Sequence, residues 1–170
     1  MGKALDLINQ TIKEHEQILT GIQSSEGIVN DVTAMVELDK PVEKFVARRL
    51  EDSKRHLEDF HKSLKKLDVA LAKHFQKEET SVLKIFENDS QYLTSAFTLL
   101  LEEHSELRER ITKAETIANE LLTTSISREV WEGKAYGLRT HIRHTRKLIE
   151  AHATSEAELF KALLKDIQKK

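Results

Sequence analysis

Apolar residues recur at spacings of three and four along nearly the whole chain, a pattern that leaves little besides long amphipathic helices packed seam against seam. The first seam runs Leu5, Ile8, Ile12, His15, Leu19, Ile22, and its end is blurred near Gly27 to Asp31. The second runs Leu57, Phe60, Leu64, Leu67, Leu71, His74, Glu78, Val82, Ile85 and stops at Asn88-Asp89-Ser90, a cluster of turn and capping residues. The third runs Leu93, Phe97, Leu100, His104, Leu107, Ile111, Ala114, Ala118, Leu121. Thr123 to Ser127 breaks it, with Ser127 placed to cap the next helix. The fourth runs Trp131, Ala135, Leu138, Ile142, Thr145, Ile149, His152, Glu156, Leu159, Leu163, and KDIQKK reads as a solvated end.

Short connections between four such helices predict an all-α fold, an up-down-up-down four-helix bundle. Five glycines and one proline are too few for a turn-rich β protein, and 170 residues suit a single domain over 1–170. The chain between His15 and His74 exceeds two helices and a tight turn. Asp39 and Pro41 suit a helix start, so Pro41 to about Asp52 is expected to form an extra short helix or an overhang of helix 2. Charged residues make up 33% and the net charge is -2, which gives no overall pull toward nucleic acid or anionic membrane. The absence of cysteine excludes disulfides, thiolate zinc sites and iron–sulfur clusters. MGKALDLINQ lacks a signal-peptide core and no apolar run approaches the ~18 residues of a membrane span, so the expectation is a cytoplasmic, soluble protein.

Six ionisable residues interrupt the seams: His15, His74, Glu78, His104, His152 and Glu156. Facing residues of an antiparallel pair are equidistant from the turn. Residue 89, midway between His74 and His104, lies inside the second turn; residue 128, midway between His104 and His152, lies at the edge of the third. Helices 2, 3 and 4 therefore bring their histidines to one layer, and His15 lies on the seam of helix 1. Helices 2 and 4 run parallel, and each carries a histidine with a glutamate four residues later, on one face and about 6 Å apart along the axis.

An uncompensated buried charge costs several kcal/mol, against ~5–15 kcal/mol of net stability for a domain. Two carboxylates and four imidazoles in a dry core need compensation on that order. Divalent metal supplies it, and six ligands with two carboxylates suit two ions better than one. A metal-free polar network is the competing reading, since a single histidine on an apolar face is usually a hydrogen-bonded core residue. The spacing leaves iron, manganese, zinc and cobalt all open.

The layout resembles the haemerythrin-like family of histidine/glutamate cation-binding (HHE) domains. The residues that carry the resemblance are His15; His74-Phe75-Gln76-Lys77-Glu78; His104; and His152-Ala153-Thr154-Ser155-Glu156 followed by Leu159-Phe160. The resemblance covers nearly the whole chain. It implies two non-haem iron ions, bridged by carboxylate and by oxo or hydroxo groups, that bind or sense dioxygen or a related diatomic such as nitric oxide. Reduction of oxygen or peroxide, nitric oxide chemistry, or a purely structural metal are the alternatives. Oxygen-carrying members have a second histidine one turn after the helix 3 ligand; here that position is Arg108, which leaves an extra open position or a water ligand. A ferritin-like site is set aside, because the Glu-x-x-His motif of Glu58 and His61 stands alone and His61 falls off the seam.

Weaker features are read as structural. The basic run Arg139 to Lys147 is expected on a solvated face, and His56 and His61 at the surface. Tyr92, Tyr136 and Trp131 are expected to pack. Gly133 and Gly137 are spaced for a close helix contact, and Glu26 and His141 for a second polar level.

Overall fold

In the computed structural model, residues 2–38 and 46–168 are described. Helix α1 spans Gly2–Leu38 and α2 Val46–Lys77; a π-helical turn, Glu78–Val82, leads into α3, Leu83–Asp89. Helix α4 spans Gln91–Leu101, α5 Glu103–Thr123 and α6 Arg128–Gln168. No strand occurs among the described residues. The backbone stays right-handed helical through Lys77 and Leu83, so α2, the π turn and α3 form one rod. Glu102 (φ -63°, ψ -25°) joins α4 to α5 in the same way. The four rods pack in a ring, with α1 and α5 each against α2 and α6. The contacts His15–His74, Gly21–Leu67 and Ser25–Ser63 run α1 antiparallel to α2, which gives the expected up-down-up-down bundle.

Several boundaries differ from the sequence reading. Helix α1 runs through Gly27 to Leu38, because Val29 and Val32, both fully buried, carry its seam past the glycine. Gly27 faces open space, and the helix absorbs its roughly 1 kcal/mol penalty. From Val46 onward the doubtful connection is an overhang of helix 2, while Pro41 to Phe45 lie outside the described residues. Phe86 is fully buried, whereas the expected seam residue Ile85 packs on the core only partly buried, since the π turn adds a residue to the phase. Likewise Phe160, not Leu159, is fully buried. The C-terminal stretch is not simply solvated, because Ile167 continues the seam at 4% exposure.

The turns follow local chemistry. Ser127 accepts the Val130 N–H on its Oγ, the expected cap of α6. Ser90 turns the chain between α3 and α4, yet its hydroxyl caps neither helix; it donates to Asp166 Oδ2 at 2.7 Å and ties this turn to α6. Trp131 packs on the core and donates its indole N–H to the Leu121 carbonyl, whereas Tyr92 is 70% exposed and does not pack. A Cβ at Gly133 or Gly137 would meet nothing within 4 Å, so neither marks a close helix contact. His56 and His61 are half-buried rather than fully at the surface. No described helix is long and apolar enough to cross a membrane.

The core is in two parts. One cluster is mainly aliphatic, with Phe60 and Phe75 among its members, and fills the end built by α5 with the facing stretches of α1, α2 and α6, from Ile18, Leu71, Leu107 and Ile149 outward. The other, at the Ser90 turn, holds Ile8, Val82, Phe97, Phe160 and Leu163, with Phe86 stacked on Phe97 at 4.2 Å. Each fully buried side chain of this size contributes about 1.5–3 kcal/mol. Between the two clusters lies one buried polar layer.

Candidate metal centre

All six seam-interrupting residues meet in that layer. His15, His74, Glu78, His104, His152 and Glu156 are each no more than 7% exposed, and the two glutamates are fully buried. α1 supplies His15, α2 His74, the first residue of the π turn Glu78, α5 His104, and α6 both His152 and Glu156. Their ligand atoms form two groups, His15–His74–Glu78–Glu156 and Glu78–His104–His152–Glu156, with all atoms of a group within 4.8 Å of one another. Donors around one cation at about 2.0–2.2 Å lie up to about 4.4 Å apart, so each group needs only small movements to close on an ion.

Each carboxylate divides its oxygens between the two groups. Glu78 turns Oε1 to Nε2 of His74 (3.0 Å) and His15 (3.3 Å), and Oε2 to Nε2 of His104 (3.4 Å). Glu156 turns Oε2 to His15 (2.7 Å), and Oε1 to His152 (3.2 Å) and His104 (3.9 Å). His15 Nε2 and Glu78 Oε1 form one hydrogen bond, at 3.3 Å, while most of the other approaches are close but misdirected for hydrogen bonds. Nε2 of His74, His104 and His152, Oε2 of Glu78 and both oxygens of Glu156 are buried without a hydrogen-bond partner. An orphaned buried polar group costs about 1–3 kcal/mol. Six of them aimed at a common interior suit cations and do not suit a satisfied polar network.

The outward nitrogens are held differently. Nδ1 of His74 lies 3.1 Å from Glu14, Nδ1 of His104 2.8 Å from Glu79, and Nδ1 of His152 2.9 Å from Glu103. Each pairing fixes the proton on Nδ1 and turns the Nε2 lone pair inward, as a ligand requires. Lys77 in turn grips Glu14. Rings are clamped as well: Phe75 stacks on His104 at 3.8 Å and Phe160 on His15 at 5.9 Å. The sequence reading missed Glu14, Glu79 and Glu103, which lie outside the seams. Their signal is adjacency, since each sits beside a seam residue, as Glu14-His15, Glu78-Glu79 and Glu103-His104.

The charges are mutually dependent. Burial opposes a charged His15, but Glu156 and Glu78 outweigh it and push the imidazole up to about 9. His104 also rises to about 9 against burial, held by Glu156, Glu78 and Glu79, and His152 rises through Glu156 and Glu103. Burial works against ionised Glu78, yet His104, His15 and His74 bring it down to about 2; Glu156 falls below the ordinary carboxylate range for similar reasons. Without cations the layer holds protons in their place.

The remaining polar candidates do not join. Thr145 is buried but donates to the His141 carbonyl of its own helix. His141 donates to the Arg110 carbonyl, while Glu26 pairs with Arg146, so they form no second level together. Arg146 also binds Glu150, so part of the basic run is neutralised within the bundle. Arg108 is exposed on the outside of α5 and does not face the layer. A void of about 10 Å³ adjoins the layer, lined by His15, His74, His152, Phe75, Leu107 and Ile149 among others.

No curated protein and no solved structure matches the chain. The profile of the Hemerythrin HHE cation binding domain matches residues 13–164, a span that contains all six residues of the layer. With that match over most of its length, and with the histidines and glutamates gathered as described, the chain belongs to the haemerythrin HHE cation-binding family.

Proposed function

We propose that the protein is a non-haem di-iron protein that binds or senses dioxygen, or a related diatomic such as nitric oxide, within the bundle. The division of each carboxylate between two groups carries this reading, because a shared carboxylate is what two neighbouring cations require. Imidazole with carboxylate also accepts manganese, zinc or cobalt; the preference for iron comes from the family. When bound, iron supplies a redox change and an open coordination position. The chain's own residues do the rest. Glu14, Glu79 and Glu103 hold Nδ1 protons so that Nε2 faces inward. Phe75, Leu107 and Ile149 form a dry wall beside the layer, where about 10 Å³ is room for one water-sized molecule.

Metal analysis combined with optical spectra tests this reading. The expected result is two iron ions per chain, with ferric charge-transfer absorption that bleaches on reduction and returns in air. A colourless protein indifferent to air would leave only a structural metal. Sustained oxygen consumption with a reductant would make it an enzyme. Glu156→Gln keeps the volume of its parent and removes one anionic donor, and His74→Ala removes an imidazole; both should lose metal on dialysis. Unchanged metal content in both variants would remove the assignment.

A further inference from the structure

The outer carboxylates follow the ring of rods in one direction. Glu14 of the first rod holds the histidine of the second, Glu79 of the second holds that of the third, and Glu103 of the third holds that of the fourth. The step from the fourth rod back to the first is missing. Rods two and four run the same way and carry the same H-x-x-x-E motif, so Ala157, which follows Glu156, is the counterpart of Glu79. Alanine offers no oxygen, and among the described residues no carboxylate lies against Nδ1 of His15. The side chain of His15 is also the most accessible of the four, at 9% against 2–4% for the others.

We propose that the two halves of the centre hold their ions unequally: the His104–His152 half binds tightly, and the His15–His74 half is the exchangeable one, with His15 the ligand that lets go. This rests on the two-ion reading above. Removing an outer partner of a ligating histidine typically weakens metal binding by about 10–100-fold, so a gap of that order between the halves is expected. Both imidazoles of the first half have such a partner, whereas in the second half only His74 does.

The test is an anaerobic titration of the metal-free full chain with ferrous iron alone, followed by calorimetry and by chelator competition. Two steps separated by about 10–100-fold are expected. Two equivalents entering with one affinity would overturn the inequality and leave the two-ion reading standing. A single equivalent, or none, would overturn both. The variants assign the steps. His15→Ala should abolish the weak step and spare the tight one. Glu14→Gln should loosen only the weak step, whereas Glu79→Gln and Glu103→Gln should loosen the tight one. If His15→Ala instead removes the tight step, or the three glutamine variants weaken both steps alike, the assignment is wrong. Melting of each metal-free variant checks that the fold survives, so a general loss of structure cannot imitate a step-specific change.

Discussion

Glu78 and Glu156 are fully buried, and among the described residues no lysine or arginine pairs with either; imidazole alone balances them. This makes metal-free stability dependent on pH in a definite sense. His15 and His104 rise from 6.5 to about 9 on folding, so their contribution is complete below pH 6.5 and is lost as pH climbs through 9. Glu78 falls from 4.5 to about 2, so its contribution is present above pH 4.5 and is lost as pH drops through 2. The metal-free protein should therefore melt highest between pH 4.5 and 6.5, and each kcal/mol lost beyond that window lowers Tm by roughly 2–4 °C. Metal loading displaces these protons, so the loaded protein should gain over the metal-free one as pH rises from 6.5 to 9. Parallel melting series would expose the error if the two curves kept a constant separation. The inner ligands were legible in the sequence because each breaks an apolar seam. Glu14, Glu79 and Glu103 were not, because a glutamate beside a seam looks like any other in a chain with 29 acidic residues.

The π turn explains the main error of phase. An α-helix turns about 100° per residue, so four-residue steps drift around its surface. From His74 the buried positions run Glu78, Val82, Phe86, all four apart, and the wider π turn over Glu78–Val82 keeps them on one side. A strict α period predicts Ile85 instead, and nothing in EETSV announces the extra residue. A π turn of this kind amounts to a one-residue insertion in an α-helix. Deleting the exposed Thr80 should therefore restore a regular helix and leave α2 and α3 on their faces. The variant should stay cooperatively folded while losing metal, since Glu78 and Glu79 begin the turn. Deleting Lys73, exposed within α2, should instead rotate everything beyond it by about 100° and unseat Phe86. Circular dichroism melts of the two metal-free variants decide the point. If the Thr80 deletion melts as low as the Lys73 deletion, the turn is not an insertion that the fold tolerates.

The bundle's topology was readable because two turns lie midway between histidines, at residue 89 and at residue 128. The α1–α2 connection offered no such check, and the extent of α1 was missed because a glycine outranked Val29 and Val32 in the reading. What neither seam nor turn revealed is that the polar layer lies between two separate apolar clusters, each of which spans several rods. That arrangement decides what metal does for the fold. In a small zinc domain the ion replaces a core, and removal unfolds the chain. Here Phe60, Leu64, Ile111 and Leu138 brace one side of the layer, and Phe86, Phe97, Phe160 and Leu163 brace the other, with or without ions between them. The metal-free protein should thus keep its helical content and melt cooperatively, but at lower temperature. A ligand present at 1,000 times its Kd stabilises by about 4.1 kcal/mol, and at roughly 2–4 °C per kcal/mol chelation should lower Tm by about 8–16 °C. Adding ferrous iron back anaerobically should restore it. A metal-free chain that is unfolded at room temperature would show that the two clusters do not suffice. An unchanged Tm would show that the layer is satisfied without cations, and the orphaned nitrogens and oxygens of the site would then need another explanation.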